Sequence, residues 1–226
     1  MNKKVAVVLF SGRPLAVEKL DRIAPAVLHA WQPGTEGGSA IANLLFGKAV
    51  PQGKLAMTFP RSTGQCPIYY NAYNTGRPRS DDKNRVWYQS SYIDGPNSPL
   101  YPFGYGLSYT NFEYSPVSLD KTKISKGQEI TASVTVKNVG GITATETVQL
   151  YLCDRFASCV RPVRELKDFK KVTLNAGESK TVEFKITKKM LEFLHVDLTV
   201  YAEEGEFLVA IGGDSSAKFT ASFELV

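Results

Sequence analysis

Two hydrophobic patterns divide this chain, and the first occupies its N-terminal third. Residues 5–10 (VAVVLF) and 26–31 (AVLHAW) are continuous apolar runs, which are typical of strands buried on both faces of a parallel sheet. Residues 17–23 between them are compatible with a helix, and residues 39–47 carry apolar side chains at helical spacing with Gly47 as a C-terminal stop. The order strand, helix, strand, helix predicts an α/β unit that is too short to complete a sheet covered on both faces.

The turn before the second predicted helix is rich in glycine. We expect Gly34, Gly37 and Gly38 to let the backbone pack closely there. Ser39 or Glu36 is expected to cap the helix, with Glu36 serving as an N-terminal charge rather than as an acid catalyst.

Beyond residue 111 the hydrophobic period changes to two. Apolar and polar residues alternate in five segments separated by turn residues, namely 129–138, 147–153, 180–187, 205–213 and 218–226. Short alternating strands of this kind predict a two-sheet antiparallel sandwich. Because the chain has no Cys-Trp-Cys arrangement, the expected sandwich is fibronectin type III-like rather than antibody-like. The predicted fold class is thus a partial α/β sandwich followed by an all-β, immunoglobulin-like sandwich.

The segment between these patterns has almost no hydrophobic period. It is rich in Pro, Gly, Asn and Tyr, and a structureless stretch of this length usually serves function or an interface. We therefore expect three parts: the end of an α/β domain at 1–65, an aromatic connector at 66–111, and the sandwich at 112–226.

Aromatic residues are the main candidate chemistry of the connector. Residues 101–110 (YPFGYGLSYT) contain four rings, which we interpret as large rigid groups that join two domains and exclude water. Trp87, Tyr88 and Tyr92 are candidate substrate-binding residues, because ring faces match the C–H faces of pyranoses. An interface role for these three rings remains equally open.

Other motifs do not form a recognisable site. Neither glycine-rich segment fits a dinucleotide fingerprint or a phosphate-binding loop. His29 lies in an apolar run and is predicted to be a hydrogen-bonded core histidine, and His195 has no nucleophile setting. The adjacent pairs Asp81–Asp82 and Glu203–Glu204 are expected to be solvated surface charge, since neighbours on a strand point to opposite faces. No catalytic residue, metal ligand or cofactor site is predicted.

Composition and charge limit the classes of protein to which this chain can belong. The chain has 226 residues, of which 43% are hydrophobic and 22% charged, so an ordinary globular protein is expected. The net charge of +5 is spread among acidic residues, which argues against nucleic acid as a partner. No run approaches the ~20 apolar residues of a membrane span, and residues 1–10 lack a signal-peptide cleavage site. Cys153 and Cys159 fit either a loop disulfide or two free thiols, and Cys66 is expected to be a lone, half-buried thiol.

Several segments together resemble the C-terminal part of glycoside hydrolase family 3, especially its periplasmic bacterial β-glucosidases. The resemblance covers essentially the whole chain in the family's order, and its most distinctive motifs are PGTEGG, GKLAMTFPRS and LYPFGYGLSYT. It implies that the aromatic segment leads into a fibronectin type III-like domain. It also implies a periplasmic or secreted location and a β-glucoside substrate for the complete enzyme.

The resemblance also implies what this chain does not supply. Family members begin with a (β/α)8 barrel that carries an aspartate nucleophile, and the earlier part of their α/β domain carries a glutamate acid/base. Neither part matches this sequence, so the chain alone is expected to be inactive and to need the missing N-terminal half or self-association. The alternative is an independent module that binds carbohydrate or protein through the connector.

Overall fold

A computed structural model describes residues 5–78 and 86–226. The α/β part contains two strands and two helices, β1 (Ala6–Phe10), α1 (Glu18–Ile23), β2 (Ala26–Trp31) and α2 (Gly37–Leu45). The two strands are parallel, as the apolar runs predict, with Ala6 opposite Ala26. Neither strand contains a fully buried residue. Within this chain the parallel sheet is therefore unfinished.

The ends of α2 differ in part from the sequence prediction. Glu36 occupies the N-cap position, but no side chain caps the helix by a hydrogen bond, and Ser39 lies inside the helix. The predicted cap position is therefore correct for Glu36, although its side chain makes no capping hydrogen bond, and wrong for Ser39. Gly47 has the expected positive φ of 70° after the last turn. Close packing holds for Gly37 alone, where a Cβ would meet the ring of Pro33, whereas Gly34 and Gly38 face open space.

The second part is a two-sheet sandwich. Its elements are β3 (Phe112–Tyr114), β4 (Ser118–Leu119), β5 (Lys123–Ile124), β6 (Ile130–Asn138), β7 (Ala144–Asp154), β8 (Glu165–Leu174), β9 (Ser179–Ile186), α3 (Lys188–Leu191), β10 (Phe193–Leu194), β11 (Val200–Tyr201), β12 (Gly205–Gly212) and β13 (Ala221–Leu225). One sheet has the order β5-β13-β12-β7-β8, and in the other β6 lies between β9 and the consecutive strands β3 and β4. The predicted sandwich is confirmed.

The first stretch of the sandwich crosses from one sheet to the other. Strands β3 and β4 pair with β6 in the smaller sheet. After a short turn, β5 joins the larger sheet, where it runs parallel to β13. One stretch of chain thus stabilises an edge of both sheets.

The hydrophobic core lies between the two sheets. Alternate residues of β6 point inward, so Ile130, Ala132, Val134 and Val136 are all at most 1% exposed. The members of the core cluster all fall between Ile124 and Leu225. The described residues of the α/β part and the connector contribute none of them, so the sandwich has a core of its own.

Strand β8 was not predicted, because lysines interrupt its alternation. It forms an edge of the larger sheet, where β7 is its strand partner. Lys180 of β9 donates its Nζ to the carbonyl oxygen of Thr173 in β8 at 3.0 Å. Lysine along an edge strand discourages pairing with another chain.

Across the described residues, no helix is long and apolar enough to span a membrane.

Candidate functional site

The connector packs on the sandwich through stacked rings. Phe103 stacks on Tyr70 with ring centroids 4.2 Å apart, and Tyr70 meets the edge of Tyr151 at 6.0 Å. Tyr151 belongs to β7 and is fully buried. A backbone hydrogen bond joins the same two parts, since the amide of Ser215 donates to the carbonyl of Phe103 at 2.8 Å. Two connector rings therefore cover the outer face of the larger sheet.

A buried glutamine fixes how closely the connector approaches. Gln149 of β7 is 2% exposed, and its Nε2 donates to the carbonyl oxygens of Gly104 and Gly213 at 3.2 and 2.5 Å. Its Oε1 accepts the hydroxyl hydrogen of Tyr151 at 2.6 Å. Gly104 has φ +80°, and a Cβ there would overlap the Gln149 amide. Both observations require glycine at position 104.

A buried ion pair joins the end of the α/β part to the sandwich. Lys54 Nζ lies 3.0 Å from Glu146 Oε1, and it also donates to the carbonyl of Gly106 at 3.1 Å. The hydroxyl of Tyr114 donates to the same carboxylate oxygen at 2.9 Å. Burial is the main cause that raises the pKa of Tyr114 well above its usual range, and the negative charge of Glu146 is the second. This phenol therefore keeps the proton that it donates.

The remaining rings of residues 101–110 face the α/β part. The hydroxyl of Tyr101 donates to Asp21 Oδ1 of α1 at 2.5 Å, and Tyr109 donates to the carbonyl of Leu44 in α2 at 2.6 Å. Tyr101 also stacks on Tyr105 at 5.2 Å. The aromatic segment thus holds both helices on one side and the sandwich on the other, in line with the domain-joining role expected from its composition.

The candidate sugar-contact residues lie on a different surface of the connector. Trp87 is 91% exposed and meets Tyr88 edge to face, with ring centroids 5.6 Å apart. Tyr92 donates its hydroxyl to the carbonyl of Gln65 at 3.3 Å. It also lines an open cleft of about 450 Å³, whose other lining residues are Tyr73, Asn74, Thr75, Pro78, Ser90, Ser91, Asn97 and Val163. The three rings are therefore accessible, but only Tyr92 faces the cleft.

Of the acidic pair that the structure describes, Glu204 is solvated surface charge as predicted, whereas the side chain of Glu203 is only 20% exposed, so the prediction is wrong for Glu203. Glu203 accepts from the Ser158 amide at 2.8 Å and lies 3.2 Å from His195 Nε2. Its neighbour Glu204 pairs instead with Lys126 at 3.0 Å, which agrees with opposite orientations. The Asp81–Asp82 pair lies outside the described residues. Among the described residues, no group of three potential metal ligands comes together.

His29 departs from its prediction. Both ring nitrogens are buried and have no hydrogen-bond partner in the described chain, so a hydrogen-bonded core histidine is wrong. The ring packs instead against Trp31 and Phe59, with centroids 4.3 and 5.1 Å away. Burial lowers the pKa of His29, which keeps the imidazole neutral.

Sequence reasoning missed two features of the site. The Lys54–Glu146 pair joins residues far apart in the chain, and no local pattern marks such partners. The burial of Gln149 was also unforeseen, although its position between Val148 and Leu150 on an alternating strand showed that it faced away from the core. All three thiols are free, so the free-thiol alternative for Cys153 and Cys159 describes the structure. Cys66 is exposed, so the prediction that it is half-buried is wrong.

Comparison with known proteins agrees with this architecture. A family profile described as the glycosyl hydrolase family 3 C-terminal domain matches residues 1–109. A second, described as a fibronectin type III-like domain, matches residues 146–215. The sequence is similar to a periplasmic β-glucosidase of Salmonella typhimurium, 49% identical over 225 residues that cover 100% of this chain and 29% of that protein.

One further relative has a different named activity, and a solved structure has the same one. A putative β-xylosidase of Formosa agariphila is 41% identical over 225 residues, covering 100% of this chain and 28% of that protein. The crystal structure of a β-glucosidase from Listeria innocua in complex with isofagomine superposes with a TM-score of 0.92 and 44% identity, covering 98% of this chain and 31% of that chain. This chain spans about three tenths of the length of these relatives. It belongs to glycosyl hydrolase family 3 and corresponds to the C-terminal part of the longer enzymes in that family.

Proposed function

We propose that this chain is the non-catalytic C-terminal part of a retaining β-glucosidase, which removes terminal β-D-glucosyl residues. The observation that carries the proposal is the unfinished parallel sheet, because a sheet of two half-exposed strands needs further strands to cover it. Exposed apolar side chains surround it, including Phe10 at 61%, Ile23 at 78% and Phe46 at 81%. The missing N-terminal part of the enzyme is the proposed cover.

In this proposal both reacting carboxyls lie outside the chain. Retaining hydrolysis requires a nucleophile and an acid/base about 5 Å apart. Several carboxylates here already have structural partners: Glu146 binds Lys54, Glu18 binds Arg61, and Glu203 accepts from Ser158. The role of this chain is then to complete the α/β domain and to hold the sandwich against it, with domain boundaries near residues 65 and 111. The periplasmic relative supports a periplasmic or secreted location.

A chimera tests this function directly. The matching C-terminal part of the Salmonella typhimurium β-glucosidase would be replaced by this chain, and turnover of a chromogenic aryl β-glucoside would be measured. We expect an active chimera, while the isolated chain shows no turnover because it lacks the carboxyl pair. Activity of the isolated chain after rigorous purification would contradict the proposal. A matching assay with an aryl β-xyloside would separate the two substrate classes named among the relatives.

An independent binding module is the second candidate function. The observations that favour it are the exposure of Trp87 and the open cleft lined by Tyr92. In this second candidate, Trp87, Tyr88 and Tyr92 are proposed to contact sugar rings without help from the rest of an enzyme. Calorimetric titration of the isolated chain with cellobiose, repeated with Trp87→Ala and with the exposed control Phe156→Ala, distinguishes the two. Binding that is lost only in Trp87→Ala would favour the module, whereas no binding favours the enzyme part.

A further inference from the structure

The open cleft on the connector, of about 450 Å³, takes one wall from the sandwich. We call it the connector cleft, and we call residues 155–163, which follow β7, the strap. Tyr73 of the connector and Pro162 of the strap form an antiparallel bridge, and the amide of Val163 donates to the carbonyl of Ala72 at 2.9 Å. Val163 itself lines the cleft. The position of the strap therefore sets how open the connector cleft is.

Polar contacts hold the rest of the strap on the sandwich. Arg161 Nη2 lies 2.7 Å from Glu165 Oε2, and the Arg161 guanidinium lies 4.4 Å from the centroid of the Phe193 ring. The amide of Ser158 donates to Glu203 Oε2 at 2.8 Å. The strap is thus fixed at two places on the sandwich and at one place on the connector.

The strap begins at a buried carboxyl group that lacks a partner. Asp154 is the last residue of β7, and its Oδ2 is buried with no hydrogen-bond partner in the described chain. The Nε of Arg161 is also buried without a partner there. An ionised carboxylate is costly in such a position, because its charge has left water without gaining a hydrogen bond. A protonated, neutral carboxyl group avoids most of that cost.

Three carboxyl groups share the one guanidinium of Arg161. Burial is the main cause that raises the pKa of Asp154 to about 6; Arg161 opposes the rise, and the charges of Glu203 and Glu165 add to it. Arg161 is already bonded to Glu165. The hydrogen bond from Ser158 lowers the pKa of Glu203, so Glu203 stays ionised at pH 5. Ionisation of Asp154 therefore leaves a surplus of negative charge at the base of the strap.

Three other titratable or charged groups lie near this carboxyl. Burial raises the pKa of the Cys153 thiol, which therefore stays neutral. Arg155 is engaged by Glu206, with Nη1 and Oε2 2.6 Å apart. His195 Nε2 lies 3.2 Å from Glu203 Oε1, so His195 acts on the strap through Glu203. Of these three groups, His195 is the alternative pH sensor that an experiment has to separate from Asp154.

We propose that the strap is a pH-sensitive wall of the connector cleft, held closed while Asp154 is protonated and released when Asp154 ionises. The packed strap binds this proton more tightly than a strap that has moved into water, where Asp154 becomes an ordinary carboxyl group. The closed strap is therefore favoured at acidic pH, and it loses this stability as pH rises through about 6.

Amide hydrogen exchange of the intact chain at pH 5 and pH 7.5 tests the proposal. The readout is the protection factor of the Ser158 and Val163 amides, in which the rate is divided by the intrinsic rate at the same pH. Linkage allows protection to fall roughly tenfold between the two pH values. Because Asp154 is partly screened by solvent, we expect a fall of about fivefold. Amides that join β6 to β9 should keep their protection, since they lie in the other sheet.

A matched pair of variants identifies the titrating group. Asp154→Asn should keep the strap amides at their pH 5 protection at both pH values, because asparagine has the same shape and no charge to gain. Asp120→Asn is the control, since Asp120 is an exposed aspartate that follows β4. It should retain the fall in protection seen in the wild type.

Three outcomes would overturn the proposal. One is equal protection of the strap at the two pH values in the wild type. Another is a fall that persists in Asp154→Asn and disappears in His195→Gln, because His195 would then be the sensor. The third is an equal fall in the amides between β6 and β9, which would indicate global unfolding. Circular dichroism and thermal melting verify that each variant is folded. The readout is exchange rather than activity, so this test is independent of the proposed β-glucosidase function.

Discussion

Lys54 and Glu146 form an ion pair between the α/β part and the sandwich, with Nζ and Oε1 3.0 Å apart and side chains only 15% and 6% exposed. Lys54 belongs to the segment GKLAMTFP, and Glu146 lies near the start of β7. A charge buried this deeply is tolerated because its partners are in place, so the pair makes the two parts depend on each other.

Replacing Lys54 with methionine should destabilise the chain by about 3–5 kcal/mol, because Glu146 is left buried without its cation. Urea unfolding measures the change. The matched control is Lys126→Met, since Lys126 and Glu204 form a pair in which both side chains are more than 60% exposed. The control should change stability by less than about 1 kcal/mol. Equal effects of the two variants would show that burial does not set the strength of the Lys54 contact.

Gly104→Ala should destabilise the contact between connector and sandwich. The substitution combines a positive φ with overlap of the new Cβ and the Gln149 amide. Gly127→Ala is the control, because Gly127 has φ +91° but a Cβ added there would meet no atom within 4 Å. Strain alone costs about 1–3 kcal/mol, so Gly127→Ala should fall in that range and Gly104→Ala should exceed it. Thermal melting of both variants makes the comparison, and an equal loss would exclude a steric role for Gln149.

Asp154→Asn should remove part of the pH dependence of stability. Burial raises the pKa of Asp154 from 3.8 to about 6, although Arg161 opposes the rise. The native state therefore holds this proton more tightly than the unfolded state does. Stability from this carboxyl is present at low pH and is lost as pH rises through about 6.

The asparagine variant should accordingly be more stable than wild type at pH 7.5, by on the order of 1 kcal/mol after allowing for solvent screening, and about equal near pH 4. Urea unfolding at both values gives the difference, and Asp94→Asn serves as an exposed control. A variant that is less stable than wild type at pH 7.5 would show that the Asp154 carboxylate makes a favourable contact.

Thiol titration of the denatured, unreduced chain should count three free thiols, since Cys66, Cys153 and Cys159 are all free in the structure. In the native chain, Cys66 should react with an alkylating reagent before Cys153. Cys66 is exposed, whereas burial raises the pKa of the Cys153 thiol and so lowers its thiolate fraction. Peptide mass spectrometry after a short exposure gives the order. A count of one would favour a bond between Cys153 and Cys159.

Residues 112–226 should fold alone with a cooperative thermal transition, because the core cluster lies wholly inside this segment. A longer segment, 66–226, should melt at a higher temperature, since Tyr70 and Phe103 then cover Tyr151. The comparison uses circular dichroism and calorimetry. A molten or aggregated 112–226 segment would show that the connector is required for folding.

Local patterns predicted the elements whose side chains follow a simple period. The strands β1, β2 and β6 were expected because a continuous or alternating run of apolar residues is a clear strand signal, although β1 and β2 are not buried on both faces within this chain. Strand β8 was missed because it lies at the edge of the sheet, where its lysines interrupt the alternation of apolar and polar residues that marks a core strand. The β10–β11 hairpin was missed for the opposite reason, since its apolar residues face outward.

The candidate site was harder to predict from the sequence than the strands were. The ring count in residues 101–110 predicted an interface correctly, but not which ring faces which part. Phe103 reaches the sandwich while Tyr101 and Tyr109 reach the helices, and this division depends on the path of the backbone. His29 shows the same limit, because its apolar surroundings were predictable and its lack of a hydrogen-bond partner in the described chain was not.

The double donation by Gln149 has a consequence for protein engineering. Its amide is satisfied only when the carbonyls of Gly104 and Gly213 are both in place, and these belong to the connector and to the sandwich. A graft that joins the sandwich of one family member to the connector of another near residue 111 would separate these partners. A transplantable unit therefore has to begin before Tyr70 and carry the aromatic segment together with the sandwich.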